Sequence, residues 1–283
     1  MAGTVLTPSG TVGFNLEDWK RGAEEATYQK MILIPVVDDY GGRIYGLAHI
    51  RKHARVTGSV LAQSSDGTGL TYLNIIGTPV TITPVGSTVP IAWSENEDAQ
   101  IDLNLDTEGR SNIEQSLAEL TETNVAANFQ TATQFMSQAG VDAPMLRQGI
   151  GRLLGNTNGK AMPGGPNQIY GFFSHTQYPN LVNIPEVNTA EARGDSENPY
   201  IKGIWVRGFG FMLMISTVVA VDGNGWHNAL FLKEGLVTGW NVRTRIKRQD
   251  DELQNRLIIY NNMGSSVQHD LRIMALRTTA SAL

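Results

Sequence analysis

The string Gly155-Asn156-Thr157-Asn158-Gly159-Lys160 has the outline of a phosphate loop, in which backbone amides of a Gly-rich turn cradle phosphate oxygens and a lysine adds charge. Its spacing fails. Three residues rather than four separate the glycines, and Ala161 stands where a Ser or Thr is required. A flexible linker is the better reading. Asp222-Gly223-Asn224 begins like a calcium loop, but Trp226 holds the fifth position and Lys233 the twelfth, where a bidentate Glu is needed. That stretch reads as a turn. His49 and His53 have the i,i+4 spacing of a zinc helix, yet no H-E-x-x-H surrounds them and the segment reads as strand and loop. The paired carboxylates Asp38/Asp39 and Asp250/Asp251 have the residue types for acid/base hydrolysis, although adjacent carboxylates usually sit in solvated turns. No G-x-S-x-G elbow anchors a hydrolase triad. The chain has no Cys, which excludes disulfides, thiolate metal sites and Cys nucleophiles.

Arg243, Arg245 and Lys247 recur at period two on one side of a strand, with Arg248 beside them and Asp250, Asp251 and Glu252 directly after. A nucleic-acid stripe would not cancel itself so soon. Two readings remain: salt bridges between neighbouring chains, or a solvated edge strand carrying charge against aggregation. The net charge of -5 argues against a dedicated nucleic-acid binder. It hides an asymmetry. Residues 1–140 hold 8 Lys/Arg and 16 Asp/Glu, whereas residues 141–283 hold 14 and 11. An acidic face that meets the basic face of the next copy would have this pattern.

The elements that must position these groups follow from the rest of the 283 residues. The first basic residue is Lys20 and no apolar segment follows Met1, so no secretory signal is expected. The longest uncharged apolar run, 208–221, is fourteen residues, short of the about 20 a membrane span needs. A soluble protein made in the cytoplasm is the expectation. Residues 1–30 form an arm, to which Phe14, Leu16 and Trp19 give something to bury. Met31–Val37 reads as a strand stopped at Asp38-Asp39, and Ile44–Ile50 as the next. Val56–Gln63 and Leu70–Ile76 flank the Gly-rich tip Ser64–Gly69, giving a long hairpin whose arms reach about 25 Å at roughly 3.3 Å per residue. An isolated ribbon of that kind is marginal in water and needs a surface to lie on. Val80–Val85 and Val89–Trp93 are further strands, followed by an acidic run over Glu95–Glu108.

A helix is expected over Ser111–Ala139, opened by the capping box Ser111-Asn112-Ile113-Glu114 and about 43 Å long at 1.5 Å per residue. Its apolar stripe shifts from Ile113, Leu117 and Leu120 to Val125, Phe129, Ala132, Met136 and Ala139. Either the helix crosses two neighbours or it breaks near Asn124. A second helix spans Asp142–Leu154. Ile169–Phe173, Ile201–Val206 and Phe209–Val221 are strands, and Pro185–Pro199 is an acidic loop. Trp226–Trp240 reads as helical from Leu230, Leu232, Leu236 and Val237. Val242–Arg248, Leu257–Tyr260 and Val267–Leu276 are closing strands.

This order of weak pieces resembles the major capsid (coat) proteins of tailed bacteriophages, the Hong Kong ninety-seven or Johnson fold. Thr81-Ile82-Thr83-Pro84, then Ile91-Ala92-Trp93-Ser94-Glu95 and the acidic run into Ile113–Ala118, is similar to the approach to that family's spine helix. Gly203–Phe211, with Ser216 later, resembles the glycine-punctuated strands of its axial domain. His227–Gly235 resembles the helix that follows, and Arg256–Tyr260, Met263-Gly264 and Val267–Met274 its closing strands.

The resemblance implies an α+β fold with an N-arm over 1–30 and a peripheral domain over 31–142. That domain would carry an extended loop at about 51–78 and a spine helix at about 107–140. An α/β axial domain would occupy 143–240, and closing strands over 241–283 would return to the peripheral domain. It implies hexamers and pentamers that assemble in the bacterial host cytoplasm into an icosahedral virion head. The shell would enclose double-stranded DNA without sequence-specific binding. No cofactor, catalysis or membrane is implied. A scaffolding protein, a portal and a decoration protein are the other partners; only about 30 residues precede the first strand, which favours a separate scaffold. Candidate subunit contacts are Phe14, Trp19, Ser64, Asp66, Gly67, Thr68, Arg243, Arg245, Lys247, Asp250 and Asp251. No Lys–Asn crosslink pair is identified. An encapsulin-like compartment shell and a β-rich Asp/Glu hydrolase are the alternatives.

Overall fold

The computed structural model describes residues 27, 30–40, 48–52, 78–94, 105–157, 168–188, 205–206, 209–251 and 254–279. The expected arm residues Phe14 and Trp19, the hairpin strands 56–63 and 70–76, and the tip residues Ser64, Asp66, Gly67 and Thr68 lie outside them.

The first strands are β1 (Asp38–Asp39), β2 (Ala48–Lys52), β3 (Thr78–Ile82) and β4 (Pro84–Ser94). Helix α1 (Leu105–Ala126) precedes β5 (Phe135–Gln138), and α2 (Ala143–Thr157) precedes β6 (Ile169–Ser174). Two short helices, Tyr178–Val182 and Pro185–Asn188, then lead to β7 (Trp205–Val206), β8 (Phe211–Ser216) and β9 (Val221–Asp222). The last strands are β10 (Gly225–Leu232), β11 (Leu236–Asp251), β12 (Gln254–Val267) and β13 (Ile273–Thr278). The architecture is α+β, with three sheets among the described residues. One has the order β1-β11-β12-β4. A second has β5-β13-β10-β6-β8-β7, with β9 beside β10. The third is the pair β2-β3.

The four-stranded sheet is built on the β11–β12 hairpin, in register from Leu236↔Val267 to Asp251↔Gln254 and bulged on either side of Val242. β4 runs antiparallel along β12 from Ser94↔Gln254 to Pro84↔Gly264. Pro84 and Pro90 are tolerated because β4 is an outer strand of this sheet, where a missing donor breaks no ladder. β2 pairs with β3 from Ala48↔Ile82 to Lys52↔Thr78, so the chain leaves for residues 53–77 and returns from them at one paired stem.

The seven-stranded sheet is mixed and is covered on both faces. Alternate residues of β10 divide between two clusters: Ala229 and Phe231 pack with Phe129, Phe172 and Met214, while Leu230 and Leu232 pack with Met145, Leu146 and Leu153 of α2. That double burial explains a correction. Trp226–Trp240 is not helical; it is β10, a short 3-10 turn at Lys233–Gly235, and the start of β11. A strand buried on both faces shows no alternation, and its unbroken apolar run imitates a helix. The Asp222–Gly225 turn joins β9 to β10 as expected. Gly225 has φ +105, and a Cβ there would sit 2.0 Å from the Thr278 carbonyl oxygen, so only glycine fits.

Met31–Val37 is also not a strand. Pro35 lies in a 3-10 turn over Ile34–Val36, with Met31, Leu33, Ile34 and Val37 buried. Pro35 fixes a φ suited to the turn and has no ladder donor. The stop at Asp38-Asp39 instead pairs in parallel with Val237 and Thr238.

The long helix ends earlier than its stripe suggests. α1 stops at Ala126, a 3-10 turn covers Ala127–Thr131, and Met136 lies on β5. This is the break near Asn124. Asn128 Nδ2 donates to the Val125 carbonyl at 2.9 Å and Thr131 Oγ1 to the Asn128 carbonyl at 2.8 Å, so side chains take up acceptors of the terminating turns. The buried phase of α1 is unbroken through Ile113, Leu117, Thr121 and Val125, while Leu120 faces outward at 42% exposure. Ser111 is not the cap either, because α1 begins at Leu105. α2 starts as read: Asp142 Oδ1 accepts the Met145 amide at 2.8 Å. Of the closing strands expected over 241–283, β11 and β12 lie in the four-stranded sheet, whereas β13 pairs with β10 and β5.

Candidate assembly surfaces

Among the described residues, those singled out for chemistry are not brought together; His53, Asn158, Gly159, Lys160 and Glu252 lie outside them. Gly155, Asn156 and Thr157 lie in the last turn of α2, and Asn156 Nδ2 is spent on Gln134 Oε1 and the Leu271 carbonyl. The described half of the string is therefore helix. Asp222 Oδ1 accepts the Asn224 amide at 2.7 Å, closing the turn, and Oδ2 lies 2.9 Å from His227 Nε2. The His227 ring at this distance, helped by the Asn224 amide, holds the Asp222 carboxyl below its usual range. His49 lies on β2, and His175 packs edge-on against Trp226 with ring centroids 5.8 Å apart. Among the described residues no three His, Asp or Glu side chains are grouped to hold a metal.

The paired carboxylates lie far apart. Asp39 pairs with Thr238, and Asp250 stands twelve residues further along β11. At roughly 3.3 Å per residue the pairs are roughly 40 Å apart, too far to share a substrate. Asp250 and Asp251 occupy the end of the β11–β12 hairpin, paired with Asn255 and Gln254.

The basic stripe is real. Arg243, Arg245 and Lys247 are exposed, while Thr244 and Ile246 between them are buried. On the outer side of β11, β1 pairs only with Val237 and Thr238 among the described residues. The basic run therefore lies beyond the reach of that two-residue strand, at a sheet margin where charge is the usual guard.

α1 and the 3-10 turn after it rest on this sheet through a polar seam. Asn261 Nδ2 donates to Thr121 Oγ1 at 2.8 Å, Asn124 Nδ2 to Ser87 Oγ at 3.2 Å, and Asn128 Nδ2 to Ser265 Oγ at 2.7 Å. Its other contacts run through Ala118, Val125 and Ala126 into the cluster around Phe129. One helix thus ties both sheets together.

Sequence reasoning missed Glu122. This residue is 3% exposed and accepts the backbone amides of Ile32 and Leu33. Burial pushes its carboxyl up to about 7 against the lowering effect of the amides. The signal was readable: Glu114, Ala118 and Glu122 fall in the buried phase of the helix, and a carboxylate there must find donors. Exposed Phe135 and Leu271 were missed too, since single surface apolar residues leave no pattern in sequence.

Compared by sequence, the chain matches no known family and no curated protein. Compared by structure, it is similar to capsid subunits throughout its length. Against the asymmetric unit of the bacteriophage PhiM1 mature capsid the TM-score is 0.64 at 12% identity, covering 89% of this chain and 88% of that one. Against the capsid of Cyanophage P-SCSP1u it is 0.61 at 13% identity, covering 89% of each. Against a virus-like particle from Pyrococcus furiosus it is 0.59 at 12% identity, covering 93% of this chain and 99% of that one. The fold is therefore that of phage major capsid subunits, the Hong Kong ninety-seven type, as the order of sequence pieces implied.

Proposed function

We propose that this chain is a structural shell subunit, the major capsid protein of a tailed double-stranded DNA phage. Many copies would assemble through hexamers and pentamers into an icosahedral head in the host cytoplasm. The observation that carries this reading is the match over nearly nine-tenths of both chains to subunits of phage capsids. The separation of the paired carboxylates supports a structural rather than a hydrolytic role.

In this reading the four-stranded sheet and α1 form the peripheral domain, and the seven-stranded sheet with α2 forms the axial domain. Strand β13 would then belong to the axial domain, which makes that domain discontinuous in sequence. The stem β2–β3 presents residues 53–77 as the extended loop. The N-arm residues Phe14 and Trp19, the loop tip at Ser64, Asp66, Gly67 and Thr68, and the charged run Arg243–Asp251 make the contacts between copies. Scaffolding, portal and decoration proteins and the packaged DNA are the other partners. DNA would meet an acidic protein without sequence readout, since net charge -5 supplies no phosphate grip.

The virus-like particle match favours one second reading, a compartment shell of the same fold. Sedimentation of the purified chain, alone and with the other head proteins of its source, tests both. Large particles of uniform size are expected; a monomer under every condition overturns both. Nuclease-protected DNA inside the particles selects the phage head, and a copurifying protein cargo selects the compartment.

A further inference from the structure

The chain enters the described body tied to α1 at two points. Lys30 Nζ donates to the Ser111 carbonyl at 2.7 Å and to its hydroxyl at 3.1 Å, and lies 3.4 Å from Glu114 Oε2. Two turns further along α1, Glu122 Oε1 accepts the amides of Ile32 and Leu33, and the Ile34 amide adds a third donor. These amides open the 3-10 turn Ile34–Val36, whose cap residue Leu33 supplies no side-chain acceptor. A carboxyl from another element does that work.

The charged and titratable neighbours are few. Glu119 lies on the same helix and raises the proton affinity of Glu122. Lys30 lines the same cleft, of about 350 Å³, but bonds Ser111 and Glu114 instead. On the far wall Ile215, Ser216, Thr217 and Val218 bring no titratable group. The Glu122 carboxyl is thus buried against amide dipoles without a bonded cation among the described residues.

We propose that Glu122 is the residue that pins the start of the body onto α1, and that loss of its proton loosens the pin. As a neutral acid, Glu122 keeps Oε1 as an acceptor for the amides and buries no charge. As a carboxylate it buries a charge that three amides only partly stabilise. An opened segment would return the group to water and to its ordinary affinity. The closed form, with its raised value of about 7, binds the proton more tightly than the open one. Closure is therefore fully favoured below the ordinary value of 4.5, and its advantage is lost as pH rises toward about 7. The consequence for assembly rests on the shell reading: the pin fixes how the segment Lys30–Leu33 is seated on α1 when copies meet.

Amide hydrogen exchange of the peptide 31–37 in the purified full chain tests the pin, with each rate corrected for intrinsic exchange at its pH. Glu122→Gln retains the acceptor and removes the titration. The ratio of wild-type to Glu122→Gln exchange should rise at least about tenfold from pH 5 to pH 8. Glu122→Ala should exchange faster than both at either pH, because three amides lose their acceptor. A ratio that stays constant with pH overturns the proposal, and this comparison stands even where Glu122→Ala fails to fold. Particle formation is read separately. Assembly with an unresponsive 31–37 peptide sinks the pin and keeps the shell; a responsive peptide in a chain that never assembles does the reverse.

Discussion

In the seven-stranded sheet, Leu230 and Leu232 face α2 while Ala229 and Phe231 face the cluster around Phe129. In the four-stranded sheet, Thr244 and Ile246 turn inward while Arg243, Arg245 and Lys247 turn to solvent, and α1 covers the sheet partly through amides and hydroxyls. The first sheet is completed by its own chain. The second has a covered face and a charged face, and among the described residues its long strand β11 has only the two-residue β1 on its outer side. The proposed shell role would need both kinds of region: a core that survives alone, and a frame whose outer surface the next copy would finish. Weak contacts repeated around a closed shell become collectively strong, while each stays weak enough to correct a misplaced subunit.

The largest expected effect attacks the self-sufficient sheet. Phe172 is fully buried, with its ring centroid 6.0 Å from that of Phe129. Phe172→Ala should cost about 3–5 kcal/mol in chemical denaturation, through lost transfer energy and the cavity left behind. A cost below about 1 kcal/mol would show that this core is not the one holding the fold. A smaller effect is expected at the polar seam. Thr121→Val keeps the shape but strands Asn261 Nδ2, and should cost about 1–3 kcal/mol. If it stabilised the chain instead, the seam would not be supporting α1.

The smallest effect on the isolated subunit, and the sharpest contrast, belongs to the basic stripe. Replacing Arg243, Arg245 and Lys247 together by Glu should change subunit stability by no more than about 1 kcal/mol, since exposed charges contribute little. Particle yield should nevertheless fall steeply, as like charges would meet across the contact. Normal yield from the triple variant, measured by sedimentation, would return the stripe to a solvated edge.

Much of this division could be read from residue order, but not its details. The period-two stripe, the α2 start at Asp142 and the Asp222–Gly225 turn were legible because each depends on local chemistry alone. β10 was not, because burial on both faces erased the alternation that marks a strand. The end of α1 was hidden for a different reason: no Gly or Pro stands near Asn124, and the helix is closed by Asn128 and Thr131 side chains. Pro35 hints at the 3-10 turn over Ile34–Val36, but the acceptor for the Ile32 and Leu33 amides is Glu122, roughly ninety positions away, which no local rule could supply. The membership of β13 in the seven-stranded sheet is topological and equally nonlocal.

Electron microscopy of the purified chain, incubated alone and with its scaffold if one is needed, tests the central claim most directly. The account predicts closed particles of one diameter in negative stain, lost in the Arg243, Arg245 and Lys247 triple variant whose subunits remain folded. A wild-type chain that stays monomeric and well folded in every condition would contradict it.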